Sequence, residues 1–327
     1  MSNHCFSPDH EMDYVPCLHP ELKKFLQDVY ASSWRDITTL SIEEARNQFN
    51  KYAEMRKFPK PLQNLDTSDY CLSREDNQHI SLRVYQPKIS EVDAVIIFYH
   101  GGGYVLSSMQ HYDVFCRWLC SELGVTVVSV DYRLAPEHPF PTPIEDGYFA
   151  LEWIVSEAEK LLIKDKRIIV AGDSAGAHLA AMVSILSRDR AGPKIAWQWL
   201  IYPWLDNDFT HPSYQAYATG YLNETATMKW FDKHFMPNNV KAAFSGYPSQ
   251  TKDLRNLPPA YIVSAEHDPL RDEAYVYSKK LEVADNVVHY ECALGMIHGF
   301  LNQYSLSVSF NSTMKIFGKF RSILCSD

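Results

Sequence analysis

Gly172-Asp173-Ser174-Ala175-Gly176 lies between a β-branched apolar run, Arg167-Ile168-Ile169-Val170-Ala171, and a helix-like run, Ala177-His178-Leu179-Ala180-Ala181-Met182-Val183. G-x-S-x-G therefore falls in a strand–turn–helix context, which is the setting that gives the motif meaning. Glycines on both sides of the serine let the backbone turn sharply and leave room at the strand end. The hydroxyl is lifted out of the packed sheet, and Ser174 becomes a candidate nucleophile.

Three other runs share the character of the one before the serine: Ala94-Val95-Ile96-Ile97-Phe98-Tyr99, Val125-Thr126-Val127-Val128-Ser129-Val130 and Ala260-Tyr261-Ile262-Val263-Ser264-Ala265. They are almost continuously apolar, as in a parallel sheet covered on both faces. Helical patterns at about Tyr112 to Leu123, Ile144 to Leu162, Ala177 to Arg188 and Asp272 to Val283 separate the strands. The alternation predicts an open, mostly parallel α/β sheet. Ile195 to Tyr202 and Val287 to Glu291 supply two more strands, and the alternating Ile80-Ser81-Leu82-Arg83-Val84-Tyr85 reads as a half-buried edge or hairpin strand.

Two stretches depart from this rhythm. Before the sheet, Pro20 starts a helical pattern of Leu22, Phe25, Leu26, Val29 and Tyr30. Ser41-Ile42-Glu43-Glu44 offers a capping box for a second helix, and Phe58-Pro59-Lys60-Pro61 closes the section. Two amphipathic helices packed on a core are the plainer reading, to which the sequence alone tilts; half of a lid is the sharper one. Between Trp204 and about Pro259 an aromatic-rich insertion carries a helix-like stretch, Glu224 to Phe235. It departs from the C-terminal edge of the sheet, where ligands bind in open α/β folds, so a lid or pocket wall is preferred over a surface decoration.

At 327 residues and 46% hydrophobic composition, the chain can build one large α/β domain. Its 40 acidic and 31 basic side chains give a net charge of -9, without a dense Lys/Arg block. That disfavours nucleic acid and anionic membrane surfaces as partners. Seven cysteines, at positions 5, 17, 71, 116, 120, 292 and 325, form no C-x-x-C pair and no cysteine/histidine metal spacing. A reducing compartment is the simplest expectation, with no metal. The first residues lack the basic and apolar regions of a secretory signal, and no apolar run approaches the ~18 residues of a membrane span. The expected protein is soluble and cytoplasmic, without a transmembrane segment.

Ser174 needs a base, because a free hydroxyl is a weak nucleophile at neutral pH. In the chain order that accompanies this kind of serine turn, the acid and the histidine both follow it. Asp268 stands just beyond the strand ending at Ala265, and His298 just beyond the last strand, in Gly295-Met296-Ile297-His298-Gly299-Phe300. His298 would take the Ser174 proton while Asp268 holds the imidazole. Glu266 and Asp272 compete as acids, but the first belongs to the strand and the second to a helix N-terminus. His178, His267 and His289 compete as bases, and each reads better as a structural histidine. For the oxyanion, His100-Gly101-Gly102-Gly103-Tyr104 follows a strand, and its glycines let N–H groups approach a reacting oxygen. Gly102 and Gly103, with the amide of Ala175, are assigned to that hole, and His100 to orienting the loop.

These pieces together resemble the hormone-sensitive-lipase-like branch of the α/β-hydrolases. The resemblance rests on His100 to Gly103, on Asp131-Tyr132-Arg133-Leu134-Ala135-Pro136-Glu137-His138-Pro139-Phe140-Pro141, on Gly172 to Gly176, on Asp268-Pro269-Leu270-Arg271-Asp272-Glu273 and on His298-Gly299-Phe300. It implies an α/β-hydrolase fold with an eight-stranded, mostly parallel sheet flanked by helices and a helical cap. The division that follows is 1–62 for an N-terminal cap segment, 63–203 with 246–327 for the catalytic core, and 204–245 for a cap insertion. The implied activity is hydrolysis of carboxylic esters with short to medium acyl groups through an acyl-enzyme, without a cofactor. An amidase, deacetylase or lactonase would use the same machinery. A non-catalytic small-molecule receptor is a further alternative, though related receptors tend to lose the histidine that is present here as His298. The expected partner is a small-molecule ester, and a homodimer is left open. Tyr104, Trp34 and Trp204, with the aromatic residues of the insertion, are candidates for the substrate pocket, with ordinary cap core as the alternative for each. Ala177 stands where many relatives carry a further glycine, and residues 1–19 have no family counterpart.

Overall fold

The computed structural model describes residues 17–56, 58, 65–74, 78–90, 92–163, 166–237, 242 and 244–326. Two helices, α1 (Pro20–Tyr30) and α2 (Ile42–Glu54), precede a hairpin of β1 (Asp66–Ser73) and β2 (His79–Gln86). The chain then alternates through β3 (Ala94–Tyr99), α3 (Asp113–Leu123), β4 (Thr126–Asp131), α4 (Thr142–Ser156), β5 (Arg167–Asp173), α5 (Ala175–Asp189) and β6 (Trp197–Ile201). The insertion holds α6 (Pro212–Ala216) and α7 (Thr225–Phe235), after which β7 (Ala260–His267), α8 (Arg271–Val283), β8 (Val288–Ile297) and α9 (Ser307–Ser326) complete the fold.

The eight strands form one sheet in the order β1-β2-β4-β3-β5-β6-β7-β8. β2 runs antiparallel to both β1 and β4, and every other pairing is parallel. The expected mostly parallel α/β-hydrolase sheet is therefore present, and β2 is the inner strand of a hairpin whose outer strand is β1. Both faces of β3 are buried, because Val95, Ile97 and Tyr99 join one apolar cluster while Ala94, Ile96 and Phe98 join the other. That double burial is why the central strands read as unbroken apolar runs. No helix among the described residues is long and apolar enough to cross a membrane.

Local signals account for several helix ends. Pro20 opens α1 at a position where its missing N–H is no loss, and Ser41 with Glu44 forms the full capping box of α2. The helix expected to run to Leu162 stops at Ser156. Beyond it the chain turns, with Leu162 at φ 57° and the Ile163 N–H bonded to the Ala158 carbonyl, while Leu161 and Ile163 stay buried. Apolar spacing thus continues through a turn that the return to β5 requires. Of the Phe58 to Pro61 closure, the part from Pro59 on lies outside the described residues.

At the end of β5 the two glycines have a different task from the one their flexibility suggests. The left-handed residue is Ser174 itself, at φ 57° and ψ -120°. A Cβ on Gly176 would lie 2.0 Å from the Tyr99 carbonyl oxygen, and one on Gly172 2.3 Å from the Gly176 carbonyl carbon. The glycines allow α5 to start directly against β3 and β5, and that packing holds the strained serine in place. Gly176→Ala is expected to lower stability by about 3 kcal/mol. Denaturant unfolding checks it, and a midpoint equal to that of the parent protein would contradict the close-packing account.

Candidate active site

Ser174, Asp268 and His298 follow β5, β7 and β8, parallel strands of one half of the sheet, whose C-terminal ends lie along one edge. The Ser174 Oγ lies 2.9 Å from His298 Nε2, and His298 Nδ1 lies 2.6 Å from Asp268 Oδ2. Asp268 is fully buried, and its other oxygen accepts the Leu270 N–H at 3.0 Å. With the Nδ1 proton directed to this carboxylate, Nε2 is left to accept from the serine hydroxyl. The side chain of His298 is 13% exposed and lines the cavity, whereas Asp268 does not.

The glycine loop after β3 reaches the same place. Gly102 and Gly103 adopt φ 124° and 61°. A Cβ would come within 2.2 Å of the Leu106 carbonyl oxygen at the first and of the Phe231 ring at the second. Both line the cavity that contains Ser174, whereas Ala175 does not line it and is fully buried. Among the described residues, the Gly102 and Gly103 N–H groups donate to no acceptor in the fold. Ala175 is the first residue of α5, so its N–H has no acceptor within the helix.

What holds this loop to the serine turn is Asp173, a residue the sequence reading passed over. Its buried carboxylate accepts the Gly101 N–H at 2.8 Å, the Tyr112 hydroxyl at 2.8 Å and the Tyr202 hydroxyl at 3.2 Å. Burial raises the Asp173 pKa and these donors oppose the rise. Tyr202 also packs its ring 4.7 Å from that of His298. The clue in sequence was an acidic residue buried inside a turn motif, where solvent cannot satisfy it.

The competing residues are engaged elsewhere. His178 is buried in α5 with Nε2 2.8 Å from the Gly246 carbonyl, and burial pushes its pKa down to about 3. His100 is also buried, with its pKa lowered by desolvation, and it stacks 4.4 Å from Tyr132. His267 stacks on Tyr221 and His289 on Trp197. Glu266 accepts the Gly295 N–H, and Asp272 accepts the Ser213 N–H. The Tyr132 to Pro141 segment braces the surroundings: Arg133 pairs with buried Asp146, and the Ala135 and Phe140 N–H groups bond to the carbonyls of Tyr104 and Phe235.

The cavity has a volume of 320 Å³, and both departures from the α/β rhythm wall it. Tyr30 comes from α1, Trp34 from the connection that follows it, Phe49 and Tyr52 from α2, and Leu222 and Phe231 from the insertion. The two walls are joined where the Tyr30 hydroxyl donates to Glu224 at 2.7 Å and accepts the Leu222 N–H at 3.0 Å. Trp34 is thus at the cavity, but Tyr104 and Trp204 are not. Tyr104 stacks 4.0 Å from Phe235, and Trp204 lies 5.9 Å from the same ring with its indole N–H on the Asp206 carbonyl. Both are fully buried and form the floor on which α7 sits, because the cluster with His178 and Phe235 encloses them. Two larger grooves lie on the outer surface, and none of the triad, glycine-loop or wall residues named above lines them.

A family model for the alpha/beta hydrolase fold matches residues 96–302. The chain belongs to this family, in the hormone-sensitive-lipase-like group its motifs resemble. Among its relatives, the ethyl acetate hydrolase of Pseudomonas putida is 33% identical and aligns over 88% of this chain and 93% of its own. Carboxylic ester hydrolase LipN of Mycobacterium tuberculosis is 35% identical over 76% of this chain and 68% of its own. An ester hydrolase from the metagenome of Lake Arreo, solved with a bipyridine phosphonate derivative, superposes with a TM-score of 0.86. It is 32% identical, covering 94% of this chain and 98% of that one.

The buried His178 makes stability depend on pH. Its pKa falls from 6.5 to about 3 on folding, so the unfolded chain binds the extra proton between those values. Its stabilising contribution is complete above 6.5 and is lost as the pH falls toward 3. His178→Gln keeps a donor for the Gly246 carbonyl without a titrating group. Relative to the parent, this variant is expected to retain about 2 kcal/mol more of its neutral-pH stability on going from pH 7 to pH 5. Parallel denaturant titrations at the two values read the difference, and identical losses in both proteins would show that His178 does not titrate.

Proposed function

We propose that the protein hydrolyses carboxylic esters through an acyl-enzyme formed on Ser174. The observation that carries the reading is the unbroken chain of hydrogen bonds from Ser174 through His298 to Asp268, opening into the cavity. The esterases and ester hydrolases among its relatives support it.

Ser174 Oγ attacks the ester carbonyl carbon as its proton passes to His298 Nε2. The carbonyl π pair moves onto oxygen, and the N–H groups of Gly102, Gly103 and Ala175 receive the negative charge. Each such donor supplies about 2.7 to 4 kcal/mol of transition-state stabilisation. Collapse breaks the bond to the alcohol oxygen, which leaves with the proton from His298. Water then attacks the acyl carbon, gives its proton to His298 and releases the acid, and the proton returns to Ser174. Asp268 keeps the imidazole in one tautomer and stabilises the imidazolium formed in each half.

The described parts of 1–62 and of 204–245 act as a cap over the described parts of the core, 63–203 and 246–327. A cavity of 320 Å³ suits short to medium acyl groups. Six described cysteines, Cys17, Cys71, Cys116, Cys120, Cys292 and Cys325, are free thiols, which supports the reducing cytoplasm as the place of action.

Ser174→Ala is expected to abolish turnover of short-chain aryl esters while the circular dichroism spectrum is unchanged. A fluorophosphonate should label Ser174 in the folded protein, and label found only elsewhere by peptide mass spectrometry would sink the nucleophile assignment. Asp268→Asn is expected to lower kcat by roughly 10⁴-fold at constant fold. A loss below tenfold would remove Asp268 from the triad.

A further inference from the structure

Arg56 stands just beyond α2 and lines the cavity that contains Ser174. It is the one permanent cation among the described lining residues. Its guanidinium lies over the rings of Tyr52 and Phe49, 4.9 and 5.5 Å from their centroids. Nε and Nη1 are buried, and neither has an acceptor among the described residues. The other arginines around the site differ. Arg46 forks onto Glu137 and bonds the carbonyls of Val105 and Ala135, and Arg133 forks onto Asp146. Those two arginines are satisfied within the fold, whereas Arg56, within hydrogen-bond reach of the Tyr52 hydroxyl, keeps two buried donors with no acceptor among the described residues.

The carboxylates of the cavity do not serve as its partner. Asp36 accepts from the Thr38 N–H and hydroxyl, Glu224 from Tyr30 and Gly220, and Asp173 from Gly101, Tyr112 and Tyr202. Beside the guanidinium, the Tyr52 hydroxyl accepts from Gln303 and so keeps its own proton to donate. Tyr52, over which the guanidinium lies, is bonded to Gln303, so Arg56 sits at the end of the cavity next to the loop that follows His298. An anion received there lies along the same cavity as the bond attacked by Ser174.

We propose that Arg56, assisted by the Tyr52 hydroxyl, receives a carboxylate of the substrate, so that the preferred esters carry a free carboxylate group. This specificity rests on the ester-hydrolase reading above. A planar carboxylate matches the guanidinium fork, and burial against Phe49 and Tyr52 strengthens the pair.

Two matched pairs of esters test it. Mono(4-nitrophenyl) adipate against 4-nitrophenyl 6-methylheptanoate places the carboxylate on the acyl side. 4-Carboxyphenyl acetate against 4-isopropylphenyl acetate places it on the leaving group. In one pair, the kcat/KM ratio of charged to neutral ester is expected to fall about 30-fold in Arg56→Gln, and about 3-fold in Arg56→Lys, which keeps the charge but not the fork. The pair that responds identifies the side of the ester on which the carboxylate sits. Ratios unchanged in both pairs overturn the proposal, and if Arg56→Gln does not fold, an unchanged ratio in Arg56→Lys together with no calorimetric binding of adipate to the parent protein does the same. Should Ser174→Ala cleave every ester as well as the parent, the hydrolase reading fails separately. Adipate titration then still decides: binding weakened by Arg56 substitution supports the anion site, and equal binding removes it.

Discussion

The site depends on one buried carboxylate. Asp173 lies beside Ser174 but takes no part in the chain from Ser174 to Asp268; it joins the loop after β3 to the turn after β5. A carboxylate removed from water is costly unless its oxygens find donors, and here a main-chain N–H and two tyrosine hydroxyls offset much of that cost. Satisfying Asp173 therefore fixes Gly101, and with it the Gly102 and Gly103 amides, relative to Ser174. Tyr202 carries the constraint one step further, since the ring whose hydroxyl bonds Asp173 also packs against His298. One polar cluster positions both His298 and the amides of Gly102 and Gly103.

Around that cluster, the sheet supplies positions and the two irregular stretches supply enclosure. Three residues far apart in sequence meet because parallel strands end on one edge. Enclosure has a different origin. Tyr30 bonds Glu224 and Leu222, so α1 and the insertion close the cavity as a joined pair. Buried Glu273 performs the matching task from below, accepting from the Leu205 N–H and the Tyr214 hydroxyl and tying α8 to the root of the insertion. Tyr104, Trp204, Phe235 and His178 fill the space between with stacked and edge-on rings.

Much of this was legible before any coordinates, and the reason is locality. A strand followed at once by Gly102 and Gly103, or by Ser174 between glycines, declares a loop at the sheet edge, and chain order then led to Asp268 and His298. The structure brings these residues together. Side-chain direction was not legible. Tyr104 and Trp204 look like pocket aromatics in sequence, yet they face the core, while Phe231 and Tyr30 reach the cavity. Aromatic content reports an apolar environment and not which side of a wall a ring occupies. The end of α4 was missed because Leu161 and Ile163 keep helical apolar spacing while the backbone has already turned. Asp173 was missed because its partners, Gly101, Tyr112 and Tyr202, lie on three separate segments.

The separation of Ser174 from His298 is 124 residues, and it has a consequence for the chain while it is being made. At about 5 to 20 residues per second, the ribosome adds His298 roughly 6 to 25 seconds after the serine. Through that interval β5 and α5 are present but β8 is not, so the emerging polypeptide carries a hydroxyl with no proton acceptor beside it. The hydrogen bond between Ser174 and His298 forms only once the last strand, β8, has joined the edge of the sheet.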